Sequence, residues 1–291
     1  MKFISYEASG QARWGVVEGP STITDLSAIA PTLMAALSTW SLEDLAAQVR
    51  NVPAQQKRLS LDAVKLLPVI PNPKRILCVG LNYDEHRIEA NRAKTEKPTL
   101  FTRFASSQVA HGQPLIVPIE SERFDYEGEI AIVIGKGGRR ISEAAAWDHV
   151  AGYSAYNDGS VRDWQAHTTQ WTAGKNFSGT GSFGPWLVSA RSWRDGEPVT
   201  LETRLNGQVM QKGDTSQLIF PVPTLIAYIS AFTPLEAGDV IVTGTPAGVG
   251  FKREPAVFMK DGDTVEVEVS GVGVLSNPVV AEAAMRLEKA A

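Results

Sequence analysis

Asp125-Tyr126-Glu127-Gly128-Glu129-Ile130-Ala131-Ile132-Val133-Ile134 is the stretch from which the fold and the chemistry of this chain follow. Its β-branched residues mark a strand. In a strand, residues i and i+2 point to the same face, so Glu127 and Glu129 present neighbouring carboxylates on the flank of an apolar segment. Like charges that close repel unless a proton or a cation lies between them, and a divalent ion is the simplest resolution. Ligands that are all oxygen favour a hard ion, Mg²⁺ or Mn²⁺, over zinc. The same two residues also fit a solvent-facing acidic pair on an edge strand.

Outward from that strand, Tyr153-Ser154-Ala155-Tyr156-Asn157-Asp158-Gly159-Ser160 reads as a second strand that delivers Asp158 into a loop. Three carboxylates plus water can hold Mg²⁺ in octahedral geometry with positions left for a chelating substrate. An Asx turn is the alternative role for Asp158. The segment Asn82-Tyr83-Asp84-Glu85-His86-Arg87-Ile88-Glu89 lacks Gly and Pro and predicts a helical turn, which sets His86 and Glu89 three apart on one face. A carboxylate orients an imidazole and raises its basicity, as water activation requires, although an idle surface contact has the same spacing. Lys175 stands in a region short of positive charge; it is either a solvated surface group or a stabiliser of an enolate or carboxylate beside a metal.

Two glycine-rich segments need separating. Gly179-Thr180-Gly181-Ser182-Phe183-Gly184 spells the dinucleotide-binding pattern, yet Pro185 and Trp186 follow where that motif requires a helix, so it is discounted. Gly244-Thr245-Pro246-Ala247-Gly248-Val249-Gly250 follows an apolar strand, and its backbone N–H groups and the Thr245 hydroxyl can donate to an anion. An ordinary tight turn is the other reading.

The chain has 291 residues, enough for one large domain and a small one. Hydrophobic content of 43% and charged content of 21% are those of a soluble globular protein, and a net charge of -4 argues against nucleic acid or anionic membrane as the main partner. No apolar run approaches the ~20 residues that span a bilayer. Met1-Lys2-Phe3-Ile4-Ser5-Tyr6-Glu7 lacks the features of a secretory signal, so a cytoplasmic location is expected. Cys78 is the sole cysteine, which excludes an internal disulfide and a thiolate-rich zinc site; it reads as a small core residue.

Residues 1–70 predict a small α/β domain, with strands near Phe3–Tyr6, Trp14–Val17 and Thr22–Thr24 and helices over Thr32–Leu37 and Leu42–Val49. Pro68, Pro71 and Pro73 stiffen the junction. Residues 71–291 predict a β-rich catalytic domain with strands at Ile76–Val79, Ile130–Ile134, Val240–Val242 and Val265–Val269. Asn206-Gly207 marks a two-residue hairpin, since both turn positions need positive φ. Pro221 to Ser230 and Glu282 to Lys289 are the expected helices.

Taken in order, Ile76–Tyr83, Asp125–Glu129, Ala151–Tyr153, Asn157–Asp158, Arg162–Gln165, Gly174–Lys175, Gly184–Trp186 and Thr243–Gly250 resemble the fumarylacetoacetate hydrolase family. The resemblance covers roughly residues 74 to 278, and ordered matches of this kind are more specific than any single motif. It implies an α+β, mostly β fold: a rolled mixed β-sheet C-terminal domain with a small N-terminal α/β domain, commonly a homodimer. It places Mg²⁺ or Mn²⁺ on Glu127, Glu129 and Asp158, a water-activating dyad on His86 and Glu89, and an active-site lysine on Lys175. Thr245, Gln165, Arg103 and Tyr83 match substrate-contacting positions. Arg103-Phe104-Ala105-Ser106-Ser107 and Gly159-Ser160-Val161-Arg162-Asp163 depart from the common family spelling beside the pocket wall.

The expectation that leads is metal-dependent hydrolysis of a carbon–carbon bond in an acylpyruvate-like or other 1,3-dicarbonyl 2-oxo acid from aromatic or sugar acid catabolism. His86, held by Glu89, would deprotonate the attacking water, and Lys175 would stabilise the pyruvate enolate. The same site also suits an oxaloacetate-type decarboxylase, a tautomerase or isomerase, or a 2-oxo-3-deoxy sugar acid dehydratase. A non-catalytic binding member is the remaining class. The polar stretch from Tyr83 to Pro98 reads as a lid over the site.

Overall fold

The computed structural model describes residues 1–49 and 58–284. Its central strand, Gly128–Ile134, is antiparallel to Val150–Asn157 on one side and to Val240–Val242 on the other. Ile130, Ile132 and Ile134 pack into one core, while Ala131 and Val133 pack into a second on the opposite face. Cover on both faces explains why the run is apolar throughout. Burial of each branched side chain contributes about 1.5–3 kcal/mol, and a slip of one residue would exchange the two faces. The register of the acidic end is therefore fixed by the apolar end.

Among the described residues, the large sheet has twelve strands. Its continuous path runs Arg58–Ser60, Thr22–Asp25, Gln11–Glu18, Lys2–Ala8, Gly181–Ser189, Val150–Asn157, Gly128–Ile134, Val240–Val242, Ile76–Gly80 and Thr99–Arg103. A five-stranded sheet lies over one face, ordered Gln208–Asp214, Thr200–Leu205, Thr264–Val269, Gly273–Ala281 and Leu115–Val117. Leu201, Val267 and Leu275 from it share a core with Ile130 and Ile132, closed by Leu225, Ile226 and Ile229 of the Val222–Phe232 helix. Parallel pairing of Val240–Val242 with Ile76–Gly80, within otherwise antiparallel neighbours, makes the sheet mixed. The mostly β, mixed-sheet architecture is the one expected.

Local expectations are met closely. Helices form over Leu33–Leu37 and Leu42–Val49, and Asn206 and Gly207 take φ of 52° and 78° between strands Thr200–Leu205 and Gln208–Asp214. The discounted glycine run enters the strand Gly181–Ser189, not a helix. That strand also joins the N-terminal segment to the large sheet, since Leu187 pairs with Phe3. Phe3, Trp14, Leu33 and Leu42 share a core with Ala131, Tyr156 and Leu187, beneath the strand that carries Glu129. The helix expected over Glu282 to Lys289 falls mostly outside the described residues.

Candidate active site

Glu127 directly precedes the central strand and Asp158 directly follows its antiparallel neighbour. Because Gly128 pairs with Asn157, both residues arrive at the same end of the sheet as Glu129. The Asp158 N–H donates to the Glu127 carbonyl at 2.8 Å, which ties the two loops together. One oxygen from each of Glu127, Glu129 and Asp158 lies within 4.8 Å of the others. The three residues are 5%, 2% and 0% exposed, so a solvent-facing edge pair is ruled out. Gly128 points the other way: a Cβ there would stand 1.9 Å from Thr203 Oγ1, so only glycine lets both glutamates approach this closely.

Three cations surround the carboxylates. Lys175 Nζ donates at 2.6 Å to both Glu127 and Asp158. Arg162 donates at 2.5 Å to Glu127 and at 2.8 Å to Asp125, and Arg103 donates at 2.6 Å to Asp158. Burial would raise the Glu127 carboxyl, but Arg162 and Lys175 override it and hold it well below the usual range. Burial would lower the Lys175 ammonium, but Asp158 and Glu127 raise it instead.

Glu129 differs. Burial, reinforced by Asp158 and Glu127, pushes its carboxyl well above the usual value. It accepts the Gly244 N–H at 2.6 Å and has no cationic partner among the described residues. A buried carboxylate with that deficit, beside two others and in an all-oxygen set, suits a small hard dication.

The loop after strand Val240–Val242 serves these groups. Asn82 clamps it, donating to the Thr243 carbonyl at 2.8 Å and accepting from Phe220 N–H at 2.8 Å. The Gly248 N–H donates to Glu89 at 3.1 Å. The loop donors expected to meet a ligand anion are thus spent, at Gly244 and Gly248, on two carboxylates of the protein. Glu89 in turn lies 3.2 Å from His86 Nδ1, across one turn of the Asp84–Glu89 helix. A carboxylate only accepts, so Nδ1 carries the proton and Nε2 is the free basic nitrogen.

Residues 75–280 match the fumarylacetoacetate (FAA) hydrolase C-terminal family. The chain belongs to the fumarylacetoacetate hydrolase family. It is 38% identical over 288 residues to the mitochondrial oxaloacetate tautomerase fahd2 of Xenopus laevis, across 96% of this chain and 90% of that protein. The solved fumarylacetoacetate hydrolase from psychrophilic Exiguobacterium antarcticum superposes with a TM-score of 0.81 at 36% identity, covering 97% of this chain and 100% of that one. Maleylpyruvate hydrolase from Sphingobium sp. SYK-6, in complex with manganese(II) and pyruvate, gives 0.80 at 25% identity over 97% and 99% of the two chains.

In this fumarylacetoacetate hydrolase family member Glu127 and Glu129 line a cavity of about 470 Å³, while Asp158 is fully buried beside them. His86, Gln165, Lys175 and Thr245 line it as expected. Two sequence expectations need correction. Arg103 is buried behind Asp158 and is no part of the wall; its guanidinium is consumed by Asp158, the Gly159 carbonyl and Thr180. Tyr83 is buried at the start of the Asp84–Glu89 helix, outside this cavity, and borders a separate pocket with Pro246 and Ala247. Thr245, which does line the cavity, donates to the Gly128 carbonyl at 2.8 Å and accepts from Gln211 at 2.7 Å.

Sequence reasoning missed Asp125 and the role of Arg162. Asp125 accepts the N–H groups of Tyr126, Gly250 and Phe251 as well as Arg162, and so links the strand that carries Glu129 to the loop. A buried Asp two residues before Glu127 on the same face was the available signal.

Proposed function

We propose that this protein is a Mg²⁺- or Mn²⁺-dependent tautomerase of oxaloacetate-type 2-oxo acids. The observation that carries this reading is one cavity lined by the Lys175 ammonium, an imidazole oriented by a carboxylate, and Glu127 and Glu129 of a buried three-carboxylate cluster. Keto–enol exchange needs those groups and no further participant. Likeness over nearly the whole chain to an oxaloacetate tautomerase supports the same reaction. Carbon–carbon hydrolysis, the reaction expected first from sequence, additionally requires a positioned water; likeness to maleylpyruvate hydrolase keeps it as the second reading.

Glu127, Glu129 and Asp158 would hold the dication, whose Lewis acidity polarises the 2-oxo carbonyl. His86 Nε2 takes a proton from C3 of the keto acid, and Glu89 fixes the ring for that transfer. Lys175 meets the oxygen on which negative charge grows. The proton held on His86 Nε2 then passes to that oxygen to give the enol, and the reverse order returns the ketone, so no bond between carbons breaks.

Mn²⁺-loaded protein given oxaloacetate should speed the relaxation of the enol absorbance above the blank and release neither CO₂ nor a new acid. His86→Ala should abolish that acceleration while Mn²⁺ affinity persists. Faster CO₂ release than enol relaxation, or efficient cleavage of an acylpyruvate with no effect on the enol, would reject the tautomerase.

A further inference from the structure

The cations of the cavity fall into two groups. Those at the floor, Arg162 and Lys175, are paired with Asp125, Glu127 and Asp158 at 2.5–2.8 Å. Those bordering its outer part, Arg92, Arg123 and Lys252, make no side-chain hydrogen bond or ion pair to an acidic group among the described residues. Lys252 Nζ instead lies 5.1 Å from the centre of the Phe251 ring, whose neighbour on the same ring is the Arg162 guanidinium at 4.3 Å. The three come from separate segments: after the dyad helix, before Phe124 and after the glycine loop. Asp163 also lines the cavity, and its Oδ1 is already occupied by Ser121 and the Trp164 N–H.

Unspent cations converging on one small cavity create a positive entrance above a negative floor. A dication on the floor attracts the 2-oxo and carboxylate oxygens at one end of a substrate. The entrance then faces the other end. Arginine offers a planar fork that matches a carboxylate, and lysine supplies a point charge.

We infer that Arg123 and Lys252, together with Arg92, bind the distal carboxylate of the substrate and select 2-oxo dicarboxylates over 2-oxo monocarboxylates. The inference rests on the metal-centred site proposed above and adds its specificity. Hydrogen bonds to charged groups of this kind account for about a tenfold preference or more.

The experiment is displacement calorimetry on Mn²⁺-loaded protein with oxalate bound. Oxaloacetate and its 4-methyl ester compete, since they differ only in the distal charge. The parent protein should favour the diacid by about tenfold or more, and R123Q/K252Q should reduce that ratio to about threefold or less. Oxalate, which reaches only the floor, should bind both proteins alike, and this also shows that the variant is folded. Added KCl should shrink the parent's preference and leave the variant's ratio unchanged. A parent indifferent to the distal charge, or a variant that keeps the preference, overturns the inference. If the preference behaves as expected while neither protein exchanges keto and enol forms, the carboxylate site stands and the tautomerase reading falls.

Discussion

Arg162→Met isolates what the buried charge network contributes. Arg162 holds Glu127 at 2.5 Å and Asp125 at 2.8 Å, with all three side chains no more than 7% exposed. Methionine keeps much of the aliphatic stem and discards the charge. Glu127 retains Lys175 at 2.6 Å, whereas Asp125 is left with three backbone N–H donors. Breaking a buried pair by removing one partner costs about 3–5 kcal/mol, and the surviving donors put this case near 3 kcal/mol.

Urea unfolding of the metal-free variant and parent at pH 7 measures that loss, and pH supplies an independent check. Burial already raises the Asp125 carboxyl, with Arg162 working against it, so losing the guanidinium raises it further. A carboxyl whose folded pKa exceeds its unfolded value contributes fully below the unfolded pKa, and that contribution is lost as pH rises through the folded pKa. The gap between variant and parent should therefore narrow from pH 7 to pH 5. A loss below about 1 kcal/mol at pH 7, or a gap that stays constant over that range, would refute the reasoning.

Glu129→Gln should raise the thermal midpoint of the metal-free protein at pH 7, because the carboxyl it replaces is pushed up by burial and by Asp158. The same variant should lose most of the stabilisation that Mn²⁺ gives the parent, about 2.7 kcal/mol at a hundred times Kd, as scanning calorimetry will show. Gly128→Ala drives a Cβ to 1.9 Å from Thr203 Oγ1 and should cost about 1–3 kcal/mol in denaturant unfolding, with weaker Mn²⁺ binding. Glu89→Gln should lower kcat for enol relaxation by about 10–100-fold at unchanged Mn²⁺ affinity, since the residue orients His86 and touches no ligand position.

The site was legible where the chemistry lies in short-range patterns. Glu127 and Glu129 share a face by strand geometry alone, and His86 and Glu89 share one by helical spacing. Asp158 needed the pairing of Gly128 with Asn157, which no local pattern encodes, yet the strand ending at Asn157 already pointed to it. Arg103 looked like a pocket residue because its position along the chain says nothing of depth; only the fold reveals Asp158 in front of it. Thr245 was correctly placed at the cavity, but the fate of a hydroxyl proton depends on Gly128 and Gln211, distant in the chain. Arg123 and Lys252 escaped notice because isolated basic residues in polar loops resemble ordinary surface charge.

The N-terminal segment covers the underside of the strand that carries Glu129 through Phe3, Trp14 and Leu33. Anyone trimming this enzyme to a minimal catalytic piece starting near Pro71 would uncover Ala131, Val133 and Leu187 as a greasy sheet face and invite precipitation. Library designs that recombine family members should keep the first segment and the Gly181–Ser189 strand from the same parent, because Phe3 and Leu187 are partners across that seam.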